Sequence, residues 1–138
     1  MSSHALDRIS HLLFAYQDKV GVSKRKAEIV LAVDEMAVCF SNAHQQSKDY
    51  SGFSRVLLQG RHANISVYGV TQRPQDVGTQ FRANCDRHYF FALAGKARDA
   101  VIETIGREHT AAYAALAAKY EFLEFRDGRI SKGKTRKP

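Results

Sequence analysis

Ile29-Val30-Leu31-Ala32-Val33-Asp34-Glu35 is the stretch that most restricts what this chain can fold into. Five apolar residues in succession, β-branched or large for the most part, end abruptly in two adjacent carboxylates. A continuous apolar run of this length fits a strand buried on both faces of a parallel sheet. Ligands of such sheets sit beyond the carboxyl ends of the strands. Burying an unpaired carboxylate costs several kcal/mol, so Asp34 and Glu35 do not belong in a core. Two readings remain on these residues alone: a metal- and water-handling pair, or a strand that ends in solvent.

The rest of the chain supplies the layers such a strand needs. Apolar residues at Leu6, Ile9, Leu12, Leu13, Tyr16 and Val20 recur at offsets of three and four, the period of one helix face. Gly21 can stop that helix, and Ser23-Lys24-Arg25-Lys26 reads as a basic loop. After the acid pair come a short helix or loop from Met36 to Gln46, a polar and mobile stretch from His44 to Gly52, and a helix from Gly52 to Ala63. Ile65 to Thr71 reads as a second strand, which Pro74 must terminate because it lacks an amide hydrogen. Gln75 to Asn84 reads as a turn and short helix, and His88 to Leu93 as a third buried strand. Helices at Ala97–Ile105 and His109–Lys119 follow, then a hairpin from Tyr120 to Ile130 around the turn Asp127-Gly128. The alternation of helix and strand predicts an α/β layered domain with a mostly parallel sheet.

Composition sets the outer bounds. The 138 residues are expected to form one domain over 1–130 with a basic disordered tail over 131–138. No apolar run approaches the ~20 residues of a membrane span, and no basic, then apolar, leader opens the chain. Cys39 and Cys85 read as reduced packing thiols of a cytoplasmic protein, which leaves the sequon Asn64-Ile65-Ser66 without meaning. The net charge of +7 favours an anionic partner, with nucleic acid the commonest. Arg126, Arg129, Lys132, Lys134, Arg136 and Lys137 carry much of it, as a nucleic-acid or partner surface or as a solubilising end. The six histidines lack zinc-ligand spacing, and neither cysteine has a catalytic neighbour pattern.

Leu58-Gln59-Gly60-Arg61-His62-Ala63-Asn64-Ile65-Ser66-Val67-Tyr68-Gly69-Val70-Thr71-Gln72-Arg73-Pro74 resembles the FtsK–HerA superfamily of P-loop ATPases, which includes DNA translocases, phage packaging ATPases and zonula-occludens-toxin-like proteins. The shared pattern is a strand ending in two acids, a helix ending in Gly-Arg and a basic residue, and a strand ending in Thr-Gln-Arg-Pro. Phe81-Arg82-Ala83-Asn84-Cys85-Asp86 and a further strand follow in the expected order, so the resemblance spans Ile29 to Ile105. It implies a RecA-like three-layer sandwich. It also implies that Asp34 is the Walker B acid holding magnesium through water, Glu35 the general base, Gln72 a γ-phosphate sensor, and Arg61 an arginine reaching a neighbouring subunit's nucleotide. Phosphoryl transfer is mostly positioning and charge neutralisation, which suits such a set. Arg61 could equally cap its own helix, and Arg73 could be a structural ion-pair partner.

One part of the pattern is absent. No Gly-x-x-x-x-Gly-Lys-Ser/Thr occurs, and Gly21-Val22-Ser23-Lys24-Arg25-Lys26 has the wrong spacing. The expected fold is therefore a partial RecA-like sandwich without its P-loop strand and helix, plus a C-terminal hairpin. The resemblance places the missing strand between the Thr71-ending strand and the His88 strand, so those two should pair directly or another chain should fill the gap. The isolated chain is expected to hold no cofactor and to lack ATPase activity, with ATP and magnesium bound only if a partner completes it. Three functions stay open: an inactive relative acting on a protein or nucleic-acid partner, as an inhibitor or subunit mimic; half of a split ATP-dependent DNA translocase; or a basic DNA-binding domain. A protein partner or homo-oligomer and possibly DNA are expected, with no membrane.

Overall fold

In the computed structural model the described residues are 3–20, 28–46, 50–116 and 120–136. The basic loop at 23–26, Lys119 and Lys137 lie outside them. By its internal contacts the chain falls into two compact units, Met1–Asn84 and Cys85–Pro138.

The first unit is built on the expected strand. β1 (Ile29–Val33) pairs in parallel with β2 (Ile65–Gly69), with Ile29 opposite Ile65 and Val33 opposite Gly69. Their connection contains two helices, α2 (Met36–Cys39) and α3 (Ser51–Gln59). Expected burial on both faces is not what β1 shows. Val33 and Ile65 are buried, whereas Val30, Tyr68 and Val70 on the opposite face are 57%, 60% and 62% exposed. Side chains alternate along a strand, so one face of this two-stranded sheet meets the core while the other stays open.

Helix α1 (Ser3–Val20) also departs from its apolar pattern. Its buried side chains are Leu6, Ser10, Phe14 and Gln17, while Leu12 and Tyr16 are 67% and 51% exposed. The reason is its neighbour α3. Gly52 lies so close that an added Cβ would sit 2.9 Å from the Asp7 carbonyl oxygen, and the Arg55 guanidinium lies 4.0 Å over the Phe14 ring. Ser10 fits in this seam because its hydroxyl donates to the Leu6 carbonyl at 2.8 Å. Phe40, Phe53 and Tyr50 complete the core with edge-on ring contacts.

The stretch from His44, expected to be mobile, is tied down at Gln45, and Asn42 ahead of it is held in the same way. Gln45 Oε1 accepts from the Gln80 amide at 3.0 Å, and Asn42 Oδ1 from the Thr79 amide at 2.9 Å. Both amides open α4 (Thr79–Ala83), so these side chains cap that helix from a distance.

The second unit is an antiparallel sheet of β3 (His88–Phe91), β4 (Glu121–Arg126) and β5 (Arg129–Lys134), in that order. Asp127 and Gly128 both take positive φ, 50° and 71°, as a two-residue hairpin turn requires. Helices α5 (Gly95–Ile105) and α6 (Thr110–Ala114) belong to this unit, whose core is Val101, Ile105, Tyr113, Leu116 and Leu123. The Tyr113 hydroxyl donates to the Phe91 carbonyl and accepts from the Leu93 amide, and burial pushes its pKa up. Pairing carries β5 to Lys134 and the Thr135 amide donates to Tyr120. Residues expected as the start of a disordered tail at 131 are thus strand.

The mixed α/β class follows the expected alternation, but the sheet is divided. Among the described residues β2 pairs only with β1 and β3 only with β4, so the Thr71-ending strand and the His88 strand do not pair directly.

Candidate functional site

Asp34 and Glu35 form the two-residue link between β1 and α2, and Val70 fixes both ends of it. The Val70 amide donates to the Val33 carbonyl at 2.9 Å, and the Met36 amide donates to the Val70 carbonyl at 2.7 Å. Between these anchors the chain must turn sharply. Glu35 does so in the left-handed region, at φ 54° and ψ 62°, a conformation that costs a residue with a Cβ about 1–2 kcal/mol. Its carbonyl then accepts from the Val38 and Cys39 amides, which starts α2.

The same geometry orients the carboxylates. Asp34 Oδ1 accepts the Glu35 amide at 3.0 Å, and Thr71 Oγ1 donates to Glu35 Oε1 at 2.8 Å. The Thr71 hydroxyl is itself set by the Arg73 amide, which donates to it at 3.0 Å. A chain of hydrogen bonds therefore runs from the turn after β2 to the Glu35 carboxylate. Asp34 is exposed, and Glu35 and Thr71 are half-buried.

Thr71 is the residue that the sequence analysis did not single out. It meets Glu35 because the parallel register of β1 and β2 carries on past their ends and brings the two side chains together. Gln72 follows Thr71 in the exposed turn. Arg73 forms a long ion pair with Asp76, 3.8 Å on the surface, in keeping with the structural role considered for it. Arg61 is exposed in the helical turn Gly60–Ala63, which leads into the amino end of β2. From Ile65 to Thr71 a strand advances roughly 20 Å, so Arg61 and the acid pair lie at opposite ends of β2.

Among the described residues no cluster of three His, Cys, Asp or Glu could hold a metal ion. Magnesium needs less than that when a phosphate is present, since it takes one or two carboxylates and keeps several waters. The Asp34–Glu35 donor set fits such a supporting role and not a closed metal cage. Burial raises the thiol pKa of Cys39, behind the acid pair, and that of Cys85 to about 11, so neither is a reactive thiolate at neutral pH.

The basic residues divide. Lys132 pairs with Glu121 at 3.0 Å and Arg126 with Asp127 at 3.3 Å, while Arg129, Lys134 and Arg136 are exposed.

No protein-family model matches the sequence, and no curated protein matches it. Solved structures do. The chain is similar to the genome packaging NTPase B204 from Sulfolobus turreted icosahedral virus 2 in complex with ATP-gammaS, at 21% identity and a TM-score of 0.72, covering 93% of this chain and 61% of that one. The same NTPase in complex with AMPPCP matches at 20% identity and a TM-score of 0.73, over 96% of this chain and 63% of that one. Its sulfate complex gives the same picture, at 21% identity and a TM-score of 0.72. The likeness shows a P-loop NTPase fold over most of the chain. The chain spans about three fifths of the length of these structures.

Proposed function

We propose that the chain is the water-activating part of a packaging-type NTPase, inactive without a phosphate cradle that a Gly-x-x-x-x-Gly-Lys-Ser/Thr segment outside these residues would supply. The observation that carries this reading is the acid pair. A non-glycine residue is held in a strained conformation, its carboxylate gripped by Thr71, at the end of strands where such folds place ligands. Strain persists only where the surroundings over-determine it, and here Val70 does so from both sides.

In this reading Glu35 orients the attacking water and accepts its proton, and Thr71 positions Glu35. Asp34 would hold magnesium through water, and an ion held there would supply neutralisation of the phosphate charge. Gln72 senses the terminal phosphate. Arg61, roughly 20 Å away along β2, serves a neighbouring subunit's site and not this one. The open face of β1 and β2 supports a protein partner, because parallel sheets are covered on both faces.

The test is a fusion that places a strand, Gly-x-x-x-x-Gly-Lys-Thr loop and helix ahead of this chain. The isolated chain should show no magnesium-dependent ATP turnover, and the fusion should gain it. Glu35→Gln should lower the fusion's kcat about 100-fold or more while nucleotide binding persists. Turnover by the isolated chain, or turnover indifferent to Glu35→Gln, would overturn the reading. A fusion that binds nucleotide without hydrolysing it would instead favour a non-catalytic partner role for the open face.

A further inference from the structure

We propose that the open face of the β3–β4–β5 sheet is a stacking platform for single-stranded nucleic acid. The inference rests on the second unit alone and goes beyond the nucleotide chemistry above. Strand pairing sets the face out in three rows. Phe91, Phe122 and Gly133 make the first, Tyr89, Glu124 and Ser131 the second, and Arg126 with Arg129 the third. Phe90, Leu123, Phe125 and Ile130 point the other way, into or against the core.

The first row is aromatic, with the Phe91 and Phe122 rings inclined at 56° to each other. The Phe122 ring lies over Gly133, where an added Cβ would clash with it. Tyr89 and Phe91 flank that ring at centroid distances of 5.6 and 5.9 Å, and they are 47% and 46% exposed. Exposed rings standing out from a sheet are what successive unpaired bases stack upon.

The other two rows decide between nucleic acid and a protein helix. Glu124 accepts long hydrogen bonds from the Tyr89 and Ser131 hydroxyls at 3.5 Å, so a carboxylate crosses the middle of the face. An apolar helix laid here would desolvate that carboxylate and two arginines, whereas a stacked strand leaves them hydrated. The face of β1 and β2, with Val30, Tyr68 and Val70, carries no such row. Arg126 and Arg129 also line an open hollow of about 600 Å³ at the turn end of the hairpin, together with Glu124, Asp127, Ile130 and Ser131. Asp127 pairs with Arg126 at 3.3 Å, and the two guanidinium groups offer a seat for backbone phosphates. Charge agrees, because the second unit holds eleven Lys and Arg against seven Asp and Glu.

The test uses the full chain and a fluorescein-labelled oligothymidylate of about 20 nucleotides, followed by anisotropy. Binding should weaken as salt rises from about 50 to 200 mM. Tyr89→Ala with Phe91→Ala should weaken it about tenfold or more at unchanged circular dichroism, and Tyr89→Phe should retain it. Arg126→Gln with Arg129→Gln should lower the salt slope by about two. Three results would overturn the proposal: no binding at the lower salt, equal binding by the double alanine variant, or tighter binding of a duplex of the same length. Self-association of the chain that the double alanine variant abolishes would also overturn it, assigning the face to a second copy.

Discussion

Glu35 carries a backbone cost and a side-chain role that substitutions can separate. Glu35→Gly and Glu35→Val both delete the carboxylate, so their difference reports the left-handed turn alone. Glu35→Val should be less stable than Glu35→Gly by about 2 kcal/mol, read from urea midpoints. Cys85 gives a pH prediction at the same scale. Its folded pKa, about 11 against the usual 9.0, means the folded state keeps its proton longer than the unfolded chain. That contribution is whole below pH 9 and is lost as pH rises through 11. The urea midpoint should therefore fall across this window more steeply in the wild type than in Cys85→Ala. Residue roles were the least legible part of the sequence. The acid pair stood out because an apolar run ended in it, but Thr71 did not, since its partnership with Glu35 exists only once two distant strands lie in register.

At the scale of elements, side chains from elsewhere do the capping. Asp7 of α1 accepts from the Gly52 and Phe53 amides at 2.8 and 3.1 Å, supplying a cap that α3's own N-cap residue Tyr50 does not. Asp7→Ala should cost about 1–2 kcal/mol by chemical denaturation, with Asp7→Asn recovering part of it. Such caps explain where the sequence could and could not be read. Strands declared themselves through β-branched runs in β1 and β2 and aromatic ones in β3 and β4, and the hairpin through Asp127-Gly128. The buried face of α1 did not, because Gly52 admits close approach at a face containing Ser10 and Gln17, which no hydrophobic pattern marks. The 131 boundary failed for a related reason. Ser131, Lys132 and Lys134 are polar because β5 is an edge strand with Gly133 set under the Phe122 ring, not because the segment is unstructured.

For the whole molecule, the order of elements and the P-loop NTPase fold were legible, and the division of the sheet was not. Periodicity reports which residues could be buried, not what arrives to bury them. Val30, Tyr68 and Val70 follow the pattern of a two-sided core and are exposed. No helix among the described residues is long and apolar enough to cross a membrane. Val30→Lys with Tyr68→Glu should change the isolated chain's stability by no more than about 0.5 kcal/mol, because the sites are open. The same pair should abolish the turnover gained by the fusion, since a helix could not cover those charges. Thermal unfolding of one and a phosphate-release assay of the other check both halves.

Val70 donates one backbone bond and accepts another, and these two bonds hold the segment that carries Asp34 and Glu35. It follows the last residue of β2, while the acids follow β1. Anything that grips β2 and slides it along its axis will drag the carboxylates with it, with little slack to absorb the motion. A strand joining β2 would thus do more than close an edge: it would transmit its own position to the site as a mechanical signal.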